Sequence, residues 1–566
     1  MSKKYFAQSI VQIIIVLGIL IIVNVLAQFF YTHIDLTQDK RFTLSDSTLD
    51  LVDDIDDNVY IQVLLEGDLA AGFKRLKIST EDILREFEDR NSNIQYEFLD
   101  PNEGTIAEVN TQRVSLKNMG ITPTSIRIED GKETVEKYIY PYAIVKFAKR
   151  TAVVNLLEQQ QLGVPNELIL NNSVSLLEYK FTDALYKVWN KNKPNIVFTA
   201  GHGELDVSQT AALEGVLKRH YDTGRLNIDS LFQISKEVDV LVVAKPQVAI
   251  SQRSQFIIDQ YIMNGGNVIW LIDQYDISLD SIARNQFYVP RVLGLDLDDM
   301  FFNYGVRIKD NLILDLESSK IPQVVGQQGD KPQLEMFNWF YHPLIASSSV
   351  HPVVKNIDRI NMFFPSTLDT VKTKLPLRKT FLLKSSPYSR FQGYPMRLNF
   401  EILRYEPDPK KYDKGQQEVA LLVEGKFESL YKNRVSENML TTLAQIDADF
   451  VELSPDTKQL FVTDGDFIKN LYNADRNQIS PMGYNKWEEK VYKGNQDFII
   501  NAIDYMVDDY GLLDSRSKEV KLSLLNTIKA NKDSVFYRLL NIGLPLLLLL
   551  VFGFTFNFLR KRKYSQ

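Results

Sequence analysis

Pro194-Asn195-Ile196-Val197-Phe198-Thr199-Ala200-Gly201-His202-Gly203-Glu204 is the stretch that decides the fold class. Pro194 starts a short apolar run, Ile196 to Ala200, of strand length. Two glycines around a histidine then turn the chain, and a helix is expected over about 208–220. The same grammar repeats downstream. Val238 to Ala244 is apolar apart from Asp239, as in a parallel strand covered on both faces, and Pro246 breaks it. A helix over Ser251 to Met263 ends at Gly265-Gly266, and Val268 to Ile272 makes a third buried strand ending at Asp273. Strand, helix, strand in this order implies a doubly wound α/β sheet.

Beyond it, from 274 to 453, the pattern changes. Strand-like runs at Leu312–Leu314, Thr380–Leu383 and Val419–Val423 are separated by loops with Pro and Gly, which reads as an insertion or a further domain. The earlier grammar returns at Gln459 to Thr463, which ends in Asp464-Gly465-Asp466. Phe498 to Val507 follows as an apolar helix. The chain is expected to re-enter the sheet here, giving a first part at 191–273, an insertion at 274–453 and a returning part at 454–510.

Upstream, 31–190 reads as a separate α/β domain. Ser45 caps a short helix through Leu51. A strand is expected at Val59–Leu65, and a helix after Ser79, with Asp82 standing in for the capping-box Glu. Ile94–Leu99 is a strand, 106–119 a weaker helix, and four further strands lie between 125 and 156. A helix from Val174 to Trp189 closes the unit. This order is thioredoxin-like in outline, without the CxxC that redox chemistry needs.

Two uncharged apolar runs bracket everything, 10–30 and 539–559, each long enough to cross a bilayer as a helix. Lys3 and Lys4 precede the first, and Arg560 to Lys563 follow the second. The positive-inside rule therefore places both tails, 1–9 and 560–566, in the cytoplasm of a bacterial inner membrane and the bulk in the periplasm. Val25-Leu26-Ala27 offers a cleavage site, but the apolar run continues through Phe29 and Phe30, which favours a retained anchor. Gln12, Asn24, Gln28, Asn541 and Asn557 are amides within the runs. They pair the spans with each other, reach headgroups, or dock on another membrane subunit. A polar membrane-proximal helix is expected over 511–538.

Of 65 basic and 72 acidic residues, six basic ones lie in the tails, so 65 − 6 = 59 face 72 between the spans, a net −13. That excludes a nucleic-acid partner. There is no cysteine, hence no disulfide, thiolate catalysis or thiolate-zinc site. No G-x-x-x-x-G-K-[ST] occurs, so ATP hydrolysis belongs to another polypeptide. No cofactor is implied.

Asp35 to Ser45, Leu65-Glu66-Gly67-Asp68 and Ala71 to Leu76 resemble the opening of the gliding-motility ABC-transporter auxiliary family, GldG. Phe198 to Glu204 and Asn264 to Asn267 are similar to the glutamine-amidotransferase-like (GATase-like) core of broader ABC auxiliary domains. The resemblance covers nearly the whole chain. It implies a partnership with a permease, GldF-like, and a cytoplasmic ATPase, GldA-like, and a link to type IX secretion. It supplies no catalytic residue. Amidotransfer itself needs a cysteine nucleophile, which is missing.

The candidate ligand-binding residues are His202, Glu204, Asp273 and Asp464, all at expected strand ends, where open α/β sheets bind ligands. The competing reading is turn chemistry, with glycines for tight geometry and carboxylates as helix caps. His33, His220, His342 and His351 lack ligand spacing, and His342-Pro343 and His351-Pro352 read as loop turns. Asn338-Trp339-Phe340-Tyr341 is either core or an exposed platform. The expected protein is a non-enzymatic auxiliary subunit. The alternatives are a periplasmic binding component for glycan or peptide, and a hydrolase using His202 and carboxylates.

Overall fold

A computed structural model describes Ile15, Gly18, Ile19 and residues 43–130, 133–158, 166–284, 287–329, 331–347, 349–445, 449–473, 475–508, 510–513 and 534–564. It separates into two units, Met1–Lys518 and Glu519–Gln566.

The first unit begins with α1 (Asp46–Asp54), capped by Ser45, whose side chain accepts from the Thr48 N–H. β1 (Val59–Val63) follows, then α2 (Ala71–Arg90) and β2 (Ile94–Phe98). α2 starts well before Ser79, and no side chain caps it. Leu76, Thr80, Leu84 and Phe87 are its buried residues, so the apolar stripe extends back past the expected start. Thr80 Oγ1 donates to the Leu76 carbonyl at 2.8 Å, a bond of the helix interior. Gly72 lets α2 approach closely: a Cβ there would lie 2.4 Å from Leu170 Cδ1. α3 (Ile106–Asn118) carries a full capping box, Thr105 with Glu108. β3 (Thr124–Asp130) and β4 (Glu133–Ile139) form a hairpin, and β5 (Tyr142–Phe147) and β6 (Arg150–Asn155) rejoin the sheet. The sheet order is β2-β1-β5-β6, with β1 parallel to β2 and the other pairs antiparallel. The expected closing helix is two, α4 (Asn166–Ser175) and α5 (Leu177–Trp189).

The second body is built on one ten-stranded sheet. β7 (Asn195–Ala200), β8 (Asp222–Asn227), β9 (Val240–Ala244) and β10 (Asn267–Leu271) are parallel, alternating with α6 (Val207–Leu217) and α7 (Gln252–Met263). Asp206 and Gln209 make the capping box of α6. The stretch expected as an insertion extends this sheet through β11 (Ser318–Gln328), β12 (Lys331–Ser347), β13 (Arg378–Lys384) and β14 (Glu418–Glu428). β15 (Leu453–Val462) then lies parallel beside β10, and α8 (Gly494–Met506) covers the sheet. The order is β11-β12-β13-β14-β15-β10-β9-β7-β8, and the tenth, a short strand at Ile360–Asn361, pairs with β12 off this path. Each central strand is buried on both faces. Val240 and Val242 join the core under α6 and α8, and Leu241 and Val243 the core under α7. Such burial supplies roughly 1.5–3 kcal/mol for each large aliphatic side chain.

In the second unit, α9 (Ser534–Tyr564) is 31 residues long, about 46 Å at 1.5 Å per residue. Among the described residues it holds the one stretch long and apolar enough to cross a membrane. The first expected span, apart from Ile15, Gly18 and Ile19, lies outside the described residues, as do Gln12, Asn24, Gln28 and most of the expected membrane-proximal helix.

Candidate functional site

The parallel strands of the second body all end on one edge. Between β7 and β9 the strand order reverses, because β7 leads to β8 on one side and the chain then crosses to β9 on the other. At such a switch point an open sheet offers a ligand crevice. Here the loops close it. Leu205 N–H donates to the Ala244 carbonyl at 3.0 Å, and Gln247 and Val248 N–H groups donate to the His202 carbonyl at 2.7 and 3.2 Å. Gly203, at φ +75°, lies against Gln247, and a Cβ there would sit 3.0 Å from the Gln247 Cβ.

His202 is 2% exposed. Its backbone N–H donates to Glu204 Oε2 at 2.6 Å, and its Nδ1 lies 3.3 Å from Glu204 Oε1. Its Nε2 is 3.3 Å from Asp229 Oδ1, without hydrogen-bond geometry. A hydrogen bond from Ser254, with His202 adding to it, holds the Asp229 carboxyl below the usual range. Glu204 thus ties its own turn.

Asp273 and Asp464 meet in a second cluster on the same edge, around Lys245. The Lys245 ammonium lies 2.9 Å from Asp273 Oδ2 and bonds Asp466 Oδ2. Backbone donors take up further carboxylate oxygens: Gly465 N–H to Asp273 at 2.7 Å, and Phe363 and Asp466 N–H to Asp464 at 2.7 and 2.8 Å. Burial, then the Asp273 and Asp466 charges, pushes the fully buried Asp464 carboxyl well up. Burial raises Asp273 as well. Burial acts the same way on Asp466, but Lys245 and Lys469 outweigh it and the net shift is down. Two ammonium groups, Lys245 and Lys469, thus face the three carboxyls Asp273, Asp464 and Asp466. Among the described residues no group of His, Asp and Glu could hold a metal ion. Chemically the arrangement cross-links four loops through Lys245 and backbone donors.

The structure therefore brings together Asp273 with Asp464, and His202 with Glu204, as two neighbouring clusters. Lys245, Asp229 and Asp466 were not singled out from the sequence. Lys245 adopts φ +58° just past β9, a conformation uncommon for a residue with a side chain. The one available signal was Asp466 in the quoted Asp464-Gly465-Asp466. Asn541 and Asn557 lie on α9, both exposed in that unit. His342 is not in a turn. It sits within β12, 1% exposed, ringed by Phe363 and Phe364 at 4.8 Å, and burial pushes its imidazole down to about 3. Trp339, Phe340 and Tyr341 are core. His351 does form a turn, accepting from the Val353 N–H ahead of a short 3₁₀ helix.

Residues 193–502 match the family described as an ABC-type uncharacterized transport system. The chain belongs to this family. The match to the ABC transport auxiliary family coincides with the second body, β7 to α8, and gives the protein an auxiliary role in a transport system. Residues 38–146 match a domain of unknown function, which covers most of the first body. An uncharacterized protein of Borreliella burgdorferi is 24% identical over 555 residues, 94% of this chain and 93% of that one. A solved structure described as the mmIFT52 N-terminal domain covers 56% of this chain and 98% of its own, at 11% identity and TM-score 0.30, a level that carries no argument about the fold.

Proposed function

We propose that this chain is a non-enzymatic auxiliary subunit of an ABC-transporter-type inner-membrane complex of the gliding-motility, GldG-like kind. In this reading the end helices dock on a GldF-like permease and a GldA-like cytoplasmic ATPase supplies the energy. The two α/β bodies then form a periplasmic assembly surface. The strand order β2-β1-β5-β6 supports a thioredoxin-like first body, and the five neighbouring parallel strands support a GATase-like second one.

The observation that carries the reading is the closed carboxyl edge of the large sheet. A binding component needs a cleft with convergent polar groups, and a hydrolase needs its acid and base within reach of a substrate. His202 and Glu204 instead bond each other within their own turn, and Asp273 and Asp464 accept from the backbone of neighbouring loops. The test is purification of the tagged full chain from native membranes in a gentle detergent. A permease and an ATPase should come with it in fixed ratio, and replacing Asn541 and Asn557 with Leu should weaken that association. Recovery of the chain alone would refute the proposal.

A further inference from the structure

The two bodies of the first unit have separate apolar cores. The first body's core runs from Leu51 to Val188 and takes in, from beyond α8, Leu512 together with the partly buried Tyr510. The cores of the second body contain no residue of the first. Apart from that tail beyond α8, the bodies are joined by a polar node. Lys187, on α5, places its ammonium 3.0 Å from Asp183 Oδ2 one turn earlier and 3.0 Å from Asp504 Oδ2 on α8. Tyr221, just before β8, donates its hydroxyl to the other Asp504 oxygen. Beside this node lies a cavity of about 340 Å³, walled by Asn155, Tyr179 and Lys180 on one side and Ile357, Asp497 and Asn501 on the other.

A second tie lies at the end of the unit. The Tyr510 hydroxyl donates to Asp54 at 2.8 Å, its ring meets Tyr186 at 5.9 Å, and Leu512 is 4% exposed inside the first body's core. The tail after α8 is therefore strapped to the first body. Polar, incompletely packed interfaces between domains permit relative motion, because separating them exposes little apolar surface.

We propose that Lys187 is the latch of a hinge between the two bodies. While it bridges Asp183 and Asp504 the bodies are closed on the cavity. When the bridge breaks they part around the 510–512 strap, and the cavity becomes an open cleft. Facing Lys187 are Asp183 and Tyr179 on α5, Asp504 and the nearby Asp508, and His220 and Tyr221 before β8. These acids outnumber the one ammonium at the node, so removing it leaves carboxylates opposed across the interface.

The chain has no cysteine, so two introduced ones are its sole labelling sites. Thr151→Cys on β6 and Val350→Cys, on an exposed residue of the second body, take nitroxide labels in the detergent-solubilised full chain. Pulsed electron paramagnetic resonance then reads their separation. The parent should give one narrow distance, and Lys187→Met should shift it outward or add a longer population. Should Lys187→Met fail to fold, Asp504→Asn decides in the same way, since it keeps a partner for Tyr221 and removes the ion pair. A folded latch variant whose distances superimpose on the parent's overturns the hinge.

Discussion

Two lysines in this chain each sit between two aspartates, and their surroundings make them different devices. Lys245 bridges Asp273 and Asp466 at the ends of neighbouring strands of one sheet. Lys187 bridges Asp183 and Asp504 across two bodies beside a cavity. Around Lys245, three backbone N–H groups also bind the surrounding carboxylates, so breaking the ion pair disturbs several loops at once. Around Lys187, one tyrosine hydroxyl assists, and the partners can leave with their bodies. The same chemistry is a frame where the sheet fixes both partners, and a joint where it fixes only one.

Four changes would break or sharpen that contrast. Lys245→Met strands buried carboxylates within a single core, and it should cost about 3–5 kcal/mol in the chemical unfolding of the second body. A cost under about 1 kcal/mol would deny the frame. Gly465→Ala tests the same frame sterically. A Cβ there would sit 2.4 Å from the Lys245 Cβ and 3.1 Å from its Cα, so a loss of about 1–3 kcal/mol is expected by the same measurement. Lys187→Met should cost less, about 1–2 kcal/mol, because the two bodies can part and hydrate its partners, which strands of one sheet cannot do. Limited proteolysis should find new cuts between the bodies rather than within the sheet.

The smallest effect is one of pH. Burial, with the Asp504 charge adding to it, pushes the Asp183 carboxyl up from 3.8 to about 6, Lys187 opposing. A folded-state value above the unfolded one means the folded form holds the proton more tightly. Its contribution is fully present below about 3.8 and is lost as pH rises through about 6. Between pH 5 and pH 7 the closed arrangement should weaken by on the order of 1 kcal/mol or less, since Asp183 is partly solvated. Asp183→Asn should flatten that slope in the unfolding midpoint. An unchanged slope would assign the effect to other groups.

Much of the frame was legible in the residues. The mostly apolar runs at 196–200, 238–244, 268–272 and 459–463 marked the parallel strands, because strands buried on both faces need no alternation. The return of the chain after 453 followed from the same pattern, and β15 does lie beside β10. Three things were not legible. The start of α2 was misplaced, because Ser79 and Asp82 mimic a cap in mid-helix. The antiparallel strands within 274–453 looked like an insertion, because alternating and bulged strands carry a weak local signal. The role of Asp273 and Asp464 was hidden by distance along the chain. Lys245 and Asp466 are 221 residues apart, and no local pattern predicts which lysine will neutralise which strand end.

Hydrogen exchange on the full chain in detergent asks most directly whether the carboxyl edge of the large sheet is frame or site. If it is frame, the amides of Phe363, Gly465 and Asp466 exchange as slowly as those of β9 and β10, while the 510–513 strap exchanges early. Fast exchange at Phe363, Gly465 and Asp466, with the rest of the sheet protected, would mean an edge that opens to receive a ligand, and would contradict the auxiliary, non-enzymatic reading.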